Sequence, residues 1–290
     1  MSISVIGIVG GGFMGSGIAE SSAVAGKHVL VFEPDEAPLE RSKRSLQSSV
    51  EKAVSRGKIA EEDAEAVIDR VVYTTRLEDL NTADAVIEAV SEDARLKADV
   101  FRRIDQVLPD AQFLASNTSS IPIAELASQT RQPDRVLGLH FFSPVPVMAL
   151  VEVVVALDTS APTVAIAEEF VAELGKQAIR TKDRSGFIVN MLLVPYLIAA
   201  VRMYEDGFAS REDIDEGMRL GCGHPMGPLT LCDFIGLDVL YAVCESLYEE
   251  FKRDEYAPPP LVKRMVAARR LGRKTGRGFY EYPHAAVPAQ

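Results

Sequence analysis

Ile3-Ser4-Val5-Ile6-Gly7-Ile8-Val9-Gly10-Gly11-Gly12-Phe13-Met14-Gly15 is the stretch that decides the fold. Residues 3–9 are short, β-branched and apolar, the pattern of a strand buried on both faces. Gly10, Gly12 and Gly15 then satisfy G-x-G-x-x-G, and residues 14–25 read as a helix. The glycine spacing alone is weak, because glycine-rich turns are common. A strand before it and a helix after it make it informative. Gly10 permits the tight turn, Gly12 lets a pyrophosphate approach the backbone, and Gly15 lets helix and strand pack closely. The phosphates would sit on the free N–H groups of the helix N-terminus. Gly26 ends the helix, residues 28–32 read as the next strand, and Glu33 closes it. An acidic side chain there hydrogen-bonds ribose hydroxyls and repels a 2′-phosphate, so the expected cofactor is NAD rather than NADP.

Working outward, the first half goes on alternating. Polar helices are read at residues 38–56 and 61–70, and further strands at 85–89, 113–115, 136–141 and 150–155. The expected class is α/β, a Rossmann-like, doubly wound parallel sheet. The helix pair over about residues 38–70 is an insertion between the second and third strands, too long for an ordinary crossover. From residue 186 the spacing is three and four with no convincing strand. Residues 187–205, 211–220, 227–251 and 260–270 read as helices. Asp183-Arg184-Ser185-Gly186 is the expected boundary, giving domains 1–185 and 186–290. Residues 284–290 are expected to fray.

Composition narrows the function classes. The chain has 290 residues, 47% hydrophobic and 25% charged, which supports a core and excludes global disorder. A net charge of −11 argues against nucleic acid or an anionic membrane as partner, while leaving room for a local basic pocket. Cys222, Cys232 and Cys244 are too few and too widely spaced for a zinc finger or a disulfide framework, so no metal is expected. The longest apolar stretch, residues 187–201, is interrupted by Asn190 and Pro195 and falls short of the roughly 20 residues of a membrane span. Residues 1–12 lack a basic start and a cleavage site, so the expected compartment is the cytoplasm.

Of four histidines, His140 stands out. It ends an apolar strand in Gly138-Leu139-His140-Phe141-Phe142-Ser143-Pro144, and ligands of such sheets bind outside the carboxyl ends of strands. A lone strand-end histidine is commonly a packed residue. Glu152 changes that reading, because it is a carboxylate inside Leu150-Val151-Glu152-Val153-Val154-Val155 and needs a buried partner. An imidazole would serve, and a carboxylate on one ring nitrogen fixes the tautomer and makes the other nitrogen a better base. A pairing of Glu152 with a lysine or arginine at a sheet edge is the competing reading. Ser116-Asn117-Thr118-Ser119-Ser120 follows a strand at the same sheet end, either as turn and cap chemistry or as donors to a substrate or cofactor. Asn190, an amide amid apolar neighbours, wants partners. His28 reads as a surface residue, His224 as a turn residue, and His284 lies in the tail.

Together these motifs resemble the NAD-dependent 3-hydroxyacyl-CoA dehydrogenase family, in its single-function 3-hydroxybutyryl-CoA branch. The resemblance also rests on Ile87-Glu88-Ala89-Val90, residues 186–190, Pro225-Met226-Gly227-Pro228 and Gly272-Arg273-Lys274-Thr275-Gly276-Arg277-Gly278-Phe279-Tyr280. It implies His140 as catalytic base, Glu152 as its partner, and Ser119 and Asn190 on the substrate. It implies cofactor contacts at Gly10, Gly12, Phe13, Met14, Gly15, Glu33, Glu92, Lys97 and Asn117. Ser49, Lys52, Arg56 and Lys58 in the inserted helix pair would bind coenzyme A, and the helical domain would contribute to the substrate site and form a homodimer. The chain departs from the family at Ser143 and Asp93, where asparagine is frequent, and at Ala149, where lysine is frequent. The implied reaction is oxidation of an (S)-3-hydroxyacyl-CoA to the 3-ketoacyl-CoA, and its reverse. The alternatives are the same chemistry on a carrier-protein thioester, which a basic docking surface would favour, and a non-catalytic dinucleotide-binding protein. A 3-hydroxyacid dehydrogenase with a lysine base is disfavoured, since residues 186–192 hold no lysine.

Overall fold

A computed structural model describes residues 2–282, so His284 and the 284–290 tail lie outside the described residues. The chain divides into two units, Met1–Arg184 and Ser185–Gln290.

The first unit runs β1 (Val5–Val9), α1 (Phe13–Val24), β2 (His28–Phe32), α2 (Glu36–Ser55), α3 (Glu61–Asp69), β3 (Val71–Thr74) and β4 (Ala85–Glu88). It continues with α4 (Ala94–Val107), β5 (Leu114–Ser116), α5 (Ile123–Ala127), β6 (Val136–Phe141), β7 (Leu150–Val155), α6 (Ala161–Glu173) and β8 (Gln177–Lys182). The eight strands form one sheet in the order β3-β2-β1-β4-β5-β6-β7-β8. Its direction of growth reverses between β1 and β4, the place where such sheets open a crevice for a ligand. Ile6, Ile8, Val29, Val31, Ile87, Leu137, Leu139, Val151 and Val153 carry the buried core, with Ile18 of α1 and Phe170 of α6.

The expectation of a parallel sheet needs one correction. β1 to β6 are parallel, but β7 pairs with β6 antiparallel, and β8 runs parallel to β7. The reason is length: a parallel return needs a crossover of about a dozen residues or more, and only residues 142–149 join β6 to β7. Two strands go beyond the sequence reading, β3 and β8, and they are the two edges of the sheet. Their part-exposed patterns lack the continuous apolar run of a central strand. The inserted pair α2 and α3 therefore sits between β2 and β3, and the strand at 85–88 is the fourth.

The second unit holds α7 (Val189–Glu205), α8 (Arg211–Gly221), α9 (Pro228–Ile235), α10 (Leu237–Phe251) and α11 (Pro260–Ala267). The single helix read over 227–251 is two, broken at Gly236, whose φ of +100° no ordinary side chain adopts comfortably. Leu197, Val201, Leu229, Cys232, Leu240, Cys244 and Leu247 fill the core. The glycine-rich segment 272–280 is a clasp on that core. Buried Asp233 accepts the Phe279 and Tyr280 N–H groups, each at 2.9 Å, and the Tyr282 hydroxyl at 3.0 Å. Asp215 accepts the first free N–H groups of α9, from Leu229 at 2.7 Å and Thr230 at 2.9 Å, and the Tyr280 hydroxyl at 3.1 Å. No helix among the described residues is long and apolar enough to cross a membrane.

Candidate active site

Antiparallel pairing puts His140 of β6 directly opposite Glu152 of β7. Opposed residues of such a pair project to the same face of the sheet. His140 Nδ1 lies 2.7 Å from Glu152 Oε2, with the carboxylate fully buried and the imidazole 7% exposed. The Phe142 ring packs against the imidazole, centroids 4.6 Å apart. With Nδ1–H donating to Glu152, the ring's second nitrogen, Nε2, is the one that can act as an acceptor.

The glycine loop has the shape that a pyrophosphate requires. Gly10 has φ of +98°, and a methyl group on it would meet the Ala89–Val90 backbone at 2.8 Å. At Gly15 a methyl would fall 1.8 Å from the Gly10 carbonyl oxygen, so the close start of α1 depends on the bare α-carbon. Around exposed Gly12, by contrast, nothing lies within 4 Å of an added methyl, and this is the open cradle against which phosphates can rest. α1 begins there without a side-chain cap, beside exposed Phe13 and half-buried Met14. Glu33 Oε1 accepts the Gly11 N–H at 2.6 Å, tying the loop to the end of β2. These residues fit NAD.

Across the carboxyl edge of the sheet, Glu88 of β4 pairs in register with Ser116 of β5. Glu92 Oε1 collects the serine-rich segment that follows β5: the Thr118 hydroxyl at 2.6 Å, the Ser119 N–H and hydroxyl at 2.9 and 3.3 Å, and the Ser120 N–H and hydroxyl at 3.2 and 3.0 Å. Burial works to raise the Glu92 carboxyl, but Lys97 and these hydrogen bonds outweigh it and hold it below its ordinary value. Asn117 Oδ1 accepts the Phe141 N–H at 2.9 Å, fixing the segment to the end of β6 beside His140. Lys97, expected as a cofactor contact, is 1% exposed, and its ammonium meets Glu88 at 2.6 Å and Glu92 at 3.4 Å. Sequence reading gives Glu88 no role of its own and reads Ser116 only as part of the hydroxyl-rich segment. The signal existed for Glu88, a carboxylate within an apolar strand, as for Glu152.

The remaining expected residues lie elsewhere. Lys52 is exposed on α2, Arg56 and Lys58 are exposed just beyond it, and Ser49 of α2 is half-buried. Ser49 and Lys52 share a face of α2 by their spacing of three. Asn190 belongs to the second unit, as the second residue of α7, half-buried. His28 is exposed, and His224 Nδ1 lies 3.2 Å from the Tyr196 hydroxyl. Although residue 149 is alanine, the Lys176 ammonium reaches the 142–149 loop, donating to the Val145 and Met148 carbonyls at 2.6 and 2.9 Å.

Comparison with known proteins places this geometry. The family described as 3-hydroxyacyl-CoA dehydrogenase, NAD binding domain, matches residues 5–184, and its C-terminal domain matches residues 186–282. A 3-hydroxybutyryl-CoA dehydrogenase of Mycobacterium tuberculosis is 52% identical over 284 residues, covering 97% of this chain and 99% of that protein. The human mitochondrial hydroxyacyl-coenzyme A dehydrogenase is 41% identical, covering 95% of this chain and 90% of that protein. The crystal structure of (S)-3-hydroxybutyryl-CoA dehydrogenase from Ralstonia eutropha superposes with a TM-score of 0.92 at 45% identity, covering 98% of this chain and all of that one. With both halves matched over nearly their full length, the chain belongs to the 3-hydroxyacyl-CoA dehydrogenase family of NAD-dependent oxidoreductases.

Proposed function

We propose that this enzyme interconverts (S)-3-hydroxybutyryl-CoA and acetoacetyl-CoA, with the His140–Glu152 pair as general base and acid. The observation that carries the reading is the 2.7 Å contact between His140 Nδ1 and a fully buried Glu152. His140 Nε2 takes the proton of the 3-hydroxyl, and Glu152 stabilises the imidazolium. Gly10, Gly12, Gly15 and Glu33 would hold NAD, which would supply the hydride acceptor for carbon 3. In the other direction the imidazolium returns the proton to the ketone oxygen. Ser119 and Asn190 orient the substrate oxygens, so that much of the rate comes from alignment. The exposed basic groups Lys52, Arg56 and Lys58 suit the phosphates of coenzyme A in a chain otherwise acidic overall. Short acyl chains are the favoured substrates, on the strength of the relatives' names.

The test is NADH oxidation during acetoacetyl-CoA reduction. Rapid turnover with NADH, weak turnover with NADPH, and loss of turnover in His140→Ala with NADH binding retained are the expected results. Near-normal turnover in His140→Ala would remove the histidine from the mechanism. The second unit also leaves Leu192, Ala199 and Met203 exposed along one face of α7, Leu192 at 73%. That stripe supports a homodimer through the helical unit, and Leu192→Glu should yield monomers in sedimentation. A wild-type monomer would refute this.

A further inference from the structure

Glu88 is a second fully buried carboxylate, and the hydride and proton steps make no use of it. A charge with no exposure must be matched by partners. Glu88 Oε1 accepts from the Val90 N–H at 2.7 Å and from the Lys97 ammonium at 2.6 Å. Its other oxygen accepts the Ser116 hydroxyl at 2.6 Å. Ser116 Oγ in turn accepts the Thr118 N–H at 3.1 Å. Lys97, on the first turn of α4, is shared with Glu92, which gathers Thr118, Ser119 and Ser120. Two connections therefore run from Glu88 to the segment carrying Ser119: one through Ser116, one through Lys97 and Glu92.

We propose that Glu88 is a positioning residue for the reaction, orienting Ser119 through Ser116 on one side and through Lys97 and Glu92 on the other. The proposal rests on the reading of Ser119 as a substrate-orienting group. The cluster of two carboxylates and one ammonium carries a net charge of −1. Glu88 and Glu92 compete for a single lysine. The other charged group adjoining Glu92 in the chain is Asp93, which caps α4 at the Leu96 N–H, 2.8 Å away. The segment 116–120 contributes no ionisable side chain. Neutralising Glu88 has two effects. Ser116 loses its anionic acceptor, so the segment loosens. Lys97 also gives its whole charge to Glu92, which then holds a proton less readily.

The test uses the full-length enzyme with Glu88→Gln, Glu88→Asp and Ser116→Ala. Expected for Glu88→Gln is a kcat loss on the order of 10²-fold, the scale at which misplacement of a reacting group by about 1 Å acts. NADH affinity is measured alongside, so that a loss at the cofactor site is separated from a loss in kcat. Ser116→Ala should lose kcat in the same sense, and Glu88→Asp, which keeps the charge, should recover part of it. A carboxyl-carbon NMR titration with the Glu92 signal assigned through Glu92→Gln supplies a readout that does not depend on turnover. In Glu88→Gln its midpoint moves to lower pH. A folded Glu88→Gln enzyme with wild-type kcat, or an unmoved Glu92 midpoint, overturns the proposal. If the variant fails to fold, Ser116→Ala decides: wild-type kcat there overturns it. A wild-type enzyme idle on acetoacetyl-CoA strikes at the substrate reading instead, and the Glu92 titration still judges the role of Glu88.

Discussion

Glutamine at position 152 keeps the size of the side chain and an acceptor for His140 Nδ1–H, and removes only the charge. The carboxylate and the imidazole are in contact at 2.7 Å, both buried. With charge centres about 4 Å apart and an effective dielectric near 20, the attraction is about 4 kcal/mol. On the proposed mechanism the imidazolium exists only once the proton has begun to move, so this stabilisation belongs mainly to the transition state. At 1.36 kcal/mol per factor of ten, its loss lowers kcat about 10³-fold. The assay is absorbance of the reduced nicotinamide during oxidation of (S)-3-hydroxybutyryl-CoA, with NADH affinity and thermal unfolding measured alongside. Both of those should change little, because glutamine keeps the side chain's shape and an acceptor for the ring. A Glu152→Gln enzyme of wild-type stability that retains more than a tenth of wild-type kcat would refute the electrostatic account.

Gly12→Ala and Gly15→Ala should separate cofactor space from packing. Gly12→Ala should melt like wild type and lose NADH affinity, since its methyl meets open space. Gly15→Ala should lose about 1–3 kcal/mol of stability as well, since its methyl falls on the Gly10 carbonyl; equal melting of the two would contradict the geometry. Glu33→Ala should weaken NADH binding and narrow the preference over NADPH, read by fluorescence titration, because the carboxylate both anchors Gly11 and repels a 2′-phosphate. Unchanged discrimination would assign the preference elsewhere. Glu92 titrates below its ordinary value of 4.5 in the folded chain. On acidification the unfolded chain takes up the proton first. The stability that Glu92 supplies is therefore present above its ordinary value and lost as pH falls through the folded-state value. The stability gap between wild type and Glu92→Gln should shrink in acid urea titrations, and a constant gap would count against it.

What the sequence disclosed follows from how locally each feature is encoded. The glycine loop was readable because its strand, turn and helix are contiguous and each glycine answers a steric demand. Glu152 was readable because a carboxylate in an apolar strand has few affordable explanations. The same logic at Glu88 went unused because its partners, Lys97 and Ser116, stand in a helix and a strand that sequence places nowhere near it. Edge strands β3 and β8 were illegible because a strand with one neighbour carries no continuous apolar run. The reversal of β7 was implicit in an eight-residue connection, residues 142–149, too short to cross the sheet. Gly236 broke a helix whose apolar spacing continued across it, since periodicity is blind to one residue of positive φ. The clasp at 272–282 was legible as a motif only, because Asp233 lies 46 residues before Phe279 and Asp215 lies 65 before Tyr280.

The β6–β7 hairpin separates chemistry from tailoring. The opposition of His140 and Glu152, the proposed proton-transfer pair, is set by ladder register between two strands buried along nearly their whole length. The loop at its tip contributes no rung to that ladder. Lengthening, shortening or re-sequencing residues 142–149 would redraw the surface beside the imidazole while His140 and Glu152 stay opposed. On the proposed function, exchange of this loop changes what lies beside His140 while its pairing with Glu152 is kept.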